Sequence, residues 1–195
     1  SDVYKRQIYT YTNNETGEGS WGEVAKSDAN NRGTAAQSNS CNGEIMILPV
    51  KRNSDGKQMF LALQSVPFGP NRANVGIYFK ALESLNDYFT PKAFASNWTG
   101  KKQISQMGSA YSTMVWQKDD KVGFFYEEST YGADYTNVYK ALTLEEITDE
   151  AFSYDATVKR PMEDANAIQY SDLTKVTQLL GHKGVGCLLY TSPSP

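Results

Sequence analysis

The sequence predicts an all-β protein, and three observations carry that expectation. Short strand-like runs recur between turns built from Gly, Asn and Asp. Aromatic residues are abundant, with 13 Tyr, 8 Phe and 3 Trp in 195 residues, and Tyr and Phe favour strands. Only two stretches carry a helical signal. Regularly spaced short strands fit a sandwich, a barrel or a propeller, and the pattern alone leaves those three open.

The elements follow in order. Residues 12–21, Thr-Asn-Asn-Glu-Thr-Gly-Glu-Gly-Ser-Trp, read as a solvated loop closed by a buried Trp21. Cys41-Asn42-Gly43 opens a strand over residues 44–50, Glu-Ile-Met-Ile-Leu-Pro-Val. The polar stretch 51–57 contains Asp55-Gly56, a strong turn signal, and residues 58–64 return as the second strand of a hairpin. Residues 75–79 form the next strand. Residues 111–117 and 122–127 make another hairpin around the charged turn Lys118-Asp119-Asp120-Lys121, and residues 138–142 pair next. Thr143 with Glu146 three residues later fits a capping box, which predicts a short helix. Residues 171–180 place Leu173, Val176, Leu179 and Leu180 at helical spacing.

The two ends read differently from the interior. Residues 1–7 and 187–195 resemble peptides translated from sequencing-adapter DNA, and such scars stand outside fold reasoning. They are expected to pack poorly and to contribute no strand. Arg6 falls in the head and is not promoted as a site residue. The interior is then residues 8–186, with 155–186 assigned only loosely, and Cys41 is its one cysteine because Cys187 lies in the tail. One cysteine excludes an internal disulfide framework.

Charge narrows the function classes. The net charge is −3, or −4 without the head, with both signs mixed. No basic stripe points to nucleic acid, and no polybasic cluster points to an anionic membrane. No apolar run approaches the roughly 18 residues that span a bilayer. His182 is the sole histidine, so the segment holds neither a histidine-pair metal site nor a Ser-His relay. No Gly-rich phosphate loop is present. Asn14-Glu15-Thr16 and Asn97-Trp98-Thr99 are glycosylation sequons.

One constellation carries chemistry. Arg72 stands before the strand at 75–79, in Asn71-Arg72-Ala73-Asn74-Val75-Gly76-Ile77-Tyr78. Tyr111 lies 39 residues on, flanked by Ala110 and Ser112, and Phe125-Tyr126-Glu127 closes the following hairpin. With Cys41-Asn42-Gly43-Glu44 upstream, this order and spacing resemble the C-terminal part of a sialidase, a neuraminidase of glycoside hydrolase family 33. The likeness covers about residues 8–142. It implies an incomplete six-bladed β-propeller of about three to four blades, at the usual length of propeller blades. Residues 12–21 are then a degenerate, lengthened relative of the Asp-box turn of that family.

The resemblance also implies roles. Tyr111 matches the nucleophile, Arg72 the third arginine of a triad that clamps the substrate carboxylate, and Glu127 the glutamate that orients the first arginine. Glu128 is a competitor for that last role. Sialic acid carries a carboxylate on its anomeric carbon, so a carboxylate nucleophile would meet like-charge repulsion. A neutral tyrosine activated by a base avoids it. Arginine suits the clamp because its planar fork pairs bidentately with carboxylate. The family's aspartate acid/base and first arginine lie far upstream of this segment. Its glutamate base and second arginine fall just before Ile8. Glu44 sits in a strand-opening position and is read as structural.

The implied parent is a retaining exo-sialidase acting on sialylated glycoproteins, glycolipids or oligosaccharides, outside the cell or in the periplasm. It needs no metal or organic cofactor, and this segment alone is expected to be inactive. The alternatives are a propeller that only binds glycans and an unrelated all-β structural or adhesion domain.

Overall fold

The computed structural model describes residues 5–13, 16–35, 41, 43–130 and 133–159. The expected helix at 171–180, His182, Cys187 and the tail 187–195 lie outside the described residues, as does 160–186 of the loosely assigned stretch. The described chain is all-β, with a sheet curled into a half-barrel.

All strand pairing is antiparallel. Two small ladders come first: β1 (Lys5–Arg6) pairs β4 (Ala25–Lys26), and β2 (Tyr9–Asn13) pairs β3 (Glu18–Trp21). Then β5 (Ile45–Arg52), β6 (Gln58–Pro67), β7 (Val75–Leu82) and β8 (Gly100–Gln103) build a sheet in chain order. A third ladder comprises β9 (Ser109–Trp116), β10 (Val122–Thr130) and β11 (Ala133–Leu142), with β10 in the middle. Finally β12 (Phe152–Tyr154) adds to the free edge of β5.

The predicted hairpins form where the turn chemistry placed them. Ile45 faces Gln64 and Lys51 faces Gln58. The loop closes through Gly56 N–H donating to Arg52 O at 2.8 Å and Arg52 N–H donating to Lys57 O at 2.9 Å. Gly56 sits at φ +70°, which costs glycine little. The charged turn between β9 and β10 closes through Gln117 N–H to Lys121 O at 2.9 Å. The helix α2 (Leu144–Thr148) carries the capping box: Glu146 N–H donates to Thr143 Oγ1 at 3.1 Å, and Thr143 N–H donates to Glu146 Oε2 at 2.8 Å. A second short helix, α1 (Pro91–Ala95), is capped by Thr90.

The strand β6 explains the layering. Its alternate residues bury opposite faces, so almost every position is covered. Met59, Leu61 and Leu63 face Met114, Val122, Phe124 and Tyr126 of the β9–β11 sheet, with Leu144 and Ile147 of α2. Ala62 and half-buried Phe60 face the other way, onto Leu82, Phe94 and Trp98. A strand covered on both sides reads as a near-continuous apolar run, which is how 58–67 reads.

Two expectations are corrected. Trp21 is not buried: it is 46% exposed, at the end of the β2–β3 hairpin, and meets Tyr9 edge-on at 5.1 Å between ring centres. Among the described residues, strand pairing gives the β2–β3 hairpin no third strand beside this indole. The head residues also do contribute a strand. Lys5 and Arg6 pair with Lys26 and Ala25, and Arg6 is fully buried. A buried guanidinium is held by its partners. Arg6 Nη2 donates to Thr34 Oγ1 at 2.8 Å and to Gln64 Oε1.

Lys80 on β7 supplies a pH-dependent handle. It is 6% exposed, and its ammonium donates to Ala93 O at 2.6 Å and Ser96 O at 2.7 Å. Burial pulls its pKa down to about 8, against a smaller upward pull from Asp87. The folded pKa lies below the unfolded value, so the unfolded chain binds more protons between the two. Stability therefore rises with pH from about 8 toward about 10.4, by at most the order of 3 kcal/mol from this group. Urea unfolding at pH 7.5 and 9.5 should show that rise in wild type and a flatter response in Lys80→Met. Equal responses would show that Lys80 keeps an ordinary pKa.

Candidate active site

A loop and a β-bulge in β9 bring the candidate residues together, while a second bulge, Asp134-Tyr135 opposite Ser129, lies on the other side of β10. Arg72 lies between Asn71 and Asn74, both at positive φ (56° and 62°), a conformation asparagine tolerates better than most residues. This loop is stitched onto the start of β9. Arg72 O accepts Ser109 N–H at 2.9 Å, Asn74 N–H donates to Met107 O at 3.0 Å, and Ala73 forms a β-bridge with Gly108. Ser109 Oγ accepts Val75 N–H at 3.0 Å from the other side. Arg72 and Ser109, 109 − 72 = 37 residues apart in sequence, are thus main-chain neighbours in space.

The register of β9 then breaks. Tyr126 faces Ser112 and Glu128 faces Ser109, so two residues of β9, Ala110 and Tyr111, oppose Glu127 alone. Such a bulge leaves an amide unpaired and re-aims a side chain. The Glu127 carboxylate accepts the Tyr111 N–H at 3.2 Å. The Tyr111 ring stands 45% exposed, with Arg72 Cζ 5.6 Å from its centre. Arg72 is exposed as well, so the group faces solvent.

Glu127 and Glu128 separate cleanly. Glu128 meets the phenol of buried Tyr126, and burial first, then Glu128, pushes that phenol up to about 12. Glu127 is the carboxylate of the Arg72–Tyr111 side. Glu44 is structural, in line with its expected role: its carboxylate accepts Met114 N–H at 2.8 Å and the Thr113 hydroxyl, satisfying the free edge of β9. The opening Cys41-Asn42-Gly43 has a steric reason at Gly43, where a Cβ would stand 1.8 Å from Ser65 O.

Two further residues stand beside this group, and only the second lacks a local sequence signal. Cys41 is buried, and its thiol is pushed up by burial, with Arg72 pulling down and Glu127 pushing up. Tyr135 is 47% exposed, and Cys41 first, then Tyr135 and Tyr111, push the Arg72 guanidinium's pKa up. As one of 13 tyrosines, Tyr135 has no motif around it; only its strand register singles it out. The cluster can therefore do three things: fork a carboxylate with Arg72, offer phenols beside it, and fix the Tyr111 backbone through Glu127. Among the described residues, no group of three or more His, Cys, Asp or Glu could hold a metal ion, and no helix is long and apolar enough to cross a membrane.

Compared with known proteins, the chain matches no family model and no curated protein.

Proposed function

We propose that this chain is part of the catalytic propeller of a retaining exo-sialidase, with Tyr111 as nucleophile, Arg72 as a carboxylate clamp and Glu127 as the carboxylate that supports the site. The observation that carries the reading is the meeting of Arg72, Tyr111 and Glu127, which are distant in sequence, on one exposed patch. An unrelated structural domain has no reason to bring them together.

The chemistry follows from the substrate. Arg72 pairs with the anomeric carboxylate and holds the sugar over Tyr111. The Tyr111 oxygen attacks the anomeric carbon as the glycosidic bond to the aglycone breaks, and an acid protonates the leaving oxygen. A water then attacks the same carbon and releases the phenol, so configuration is retained. Glu127 is engaged with the Tyr111 amide, not its hydroxyl. On this reading the base for the phenol and the acid for the leaving group come from other parts of the parent polypeptide, as the resemblance implies, and this segment alone is expected to be inactive. Substrates are sialylated glycoproteins, glycolipids or oligosaccharides met outside the cell or in the periplasm, and no cofactor is required.

The test is hydrolysis of a fluorogenic sialoside by a polypeptide that joins this segment to the rest of its coding sequence. Turnover supports the reading. Binding of sialosides without turnover favours a glycan-binding propeller, and neither result leaves a structural or adhesion domain. In an active parent, Arg72→Lys should raise KM and lower kcat/KM by roughly tenfold to a hundredfold, because a point charge cannot replace a bidentate fork. An unchanged KM would remove Arg72 from the clamp.

A further inference from the structure

A cleft of about 410 Å³ shares no lining residue with the Arg72, Tyr111 and Glu127 group. One wall runs from Glu23 through β4 to a single 3₁₀ turn at Ala29–Asn31, and the other is the start of α1. The volume lies within the usual range of small-molecule sites, roughly 300–1,000 Å³. The walls are held in place by the protein itself. Asp28 and Asn31 cap the 3₁₀ turn reciprocally, and Thr90 caps α1. Three hydrogen bonds tie the α1 side to the other wall. Asn97 N–H donates to Asn31 O at 2.9 Å, Trp98 N–H to Arg32 O at 2.8 Å and the Ser27 hydroxyl to Ala95 O at 2.7 Å. The charged side chains are the opposite case. Glu23, Lys26, Asp28 and Lys92 all line the cleft, two of each sign, and none forms an ion pair with a described residue. Charges of opposite sign that stay apart around one rigid cavity leave their donors and acceptors to a third party.

We propose that this cleft binds a small zwitterion of the class of a short peptide with free ends. The ligand carboxylate pairs with Lys26 and Lys92, and its ammonium pairs with Glu23 and Asp28. Both ends then make charge-assisted hydrogen bonds, the stronger kind. The Asn30 side chain, which also lines the cleft and bonds no described residue, offers a donor and an acceptor to a peptide group between the ends. Val24, 50% exposed, and Pro91 give the ligand backbone an apolar surface. A ligand with one charge satisfies one pair of side chains and leaves the other facing a neutral group, so the cleft discriminates by the presence of both. Fixed walls lower the ordering cost of binding, which matters for so small a ligand. The inference goes beyond the sialidase reading and does not rest on it, since Arg72 contributes nothing here.

The experiment titrates the isotopically labelled 195-residue chain with triglycine, with its N-acetylated and C-amidated counterpart, and with lactose as a neutral sugar. Charge-assisted hydrogen bonds at both ends support a Kd of about 1–10 mM, so the titrations run to about 50 mM. Triglycine should shift the amide signals of residues 23–31 and 90–93, and the blocked peptide should bind at least about fivefold more weakly. Two paired variants divide the ligand's ends. Lys26→Gln with Lys92→Gln removes the seat of the carboxylate. Glu23→Gln with Asp28→Asn removes the seat of the ammonium, and asparagine caps a helical turn as well as aspartate does. Each pair should weaken triglycine binding at least about fivefold, with amide signals away from the cleft unmoved. No shift with triglycine overturns the proposal, as does equal binding of the free and blocked peptides or unchanged binding in either variant pair. Shifts with lactose and none with triglycine make the cleft a sugar site and overturn the zwitterion.

Discussion

In a parent polypeptide that hydrolyses sialosides, Tyr111→Phe is expected to cut turnover by at least about a thousandfold while leaving sialic acid binding nearly intact. The substitution removes the one atom that would form the covalent bond. It keeps the aromatic face over which Arg72 lies, with Cζ 5.6 Å from the ring centre. It also keeps the main-chain contact to Glu127, because the donor there is the Tyr111 amide. The hydroxyl lies on a half-exposed side chain, so folding stability should change by less than about 0.5 kcal/mol. Turnover, ligand binding and unfolding are therefore measured on the same variant. Lost turnover with kept binding and stability identifies the nucleophile. Full turnover would show that the reactive oxygen belongs to another residue, with Tyr135 the first to test.

How much of this was legible differs from element to element. The β5–β6 hairpin was legible because Asp55-Gly56 writes a positive-φ turn into the sequence. The α2 cap was legible because Thr143 and Glu146 satisfy each other's main-chain donors. In both, the signal is local. Arg72, Tyr111 and Glu127 could be named from their order, but their meeting depends on the ladder from Ala73 to Gly108, which no local pattern encodes. The two bulges were not legible at all. Neither Ala110-Tyr111 nor Asp134-Tyr135 contains glycine, so the extra residue leaves no mark, and each register follows from pairing with β10. The strand β8, Gly-Lys-Lys-Gln, has little strand propensity and forms because the edge of β7 offers it partners. Likewise β12 has three residues and exists only against β5.

Arg6 is the sharpest departure, and its removal should be felt in stability. Its local composition marks it as foreign to the fold, yet it is fully buried beside β6. The guanidinium donates to Gln64 Oε1 and to Thr34 Oγ1, and Thr34 Oγ1 itself donates to Gln64 Oε1 at 2.8 Å. The group also lies 5.9 Å from the centre of the Trp98 ring. Arg6→Ala leaves a cavity and strips charged hydrogen bonds from two buried acceptors, so a loss of about 3–5 kcal/mol is expected. Arg6→Met fills most of the same volume without a charge, and buried ionic groups replaced by apolar ones of similar size often cost little. The Thr34–Gln64 bond survives that change. Arg6→Met should therefore recover much of what Arg6→Ala loses. Urea unfolding of both variants decides between the two views of the head. A large loss for Ala with recovery for Met places Arg6 in the core. Two unchanged midpoints would mean that β1 adds nothing to the fold, as the sequence of residues 1–7 suggests.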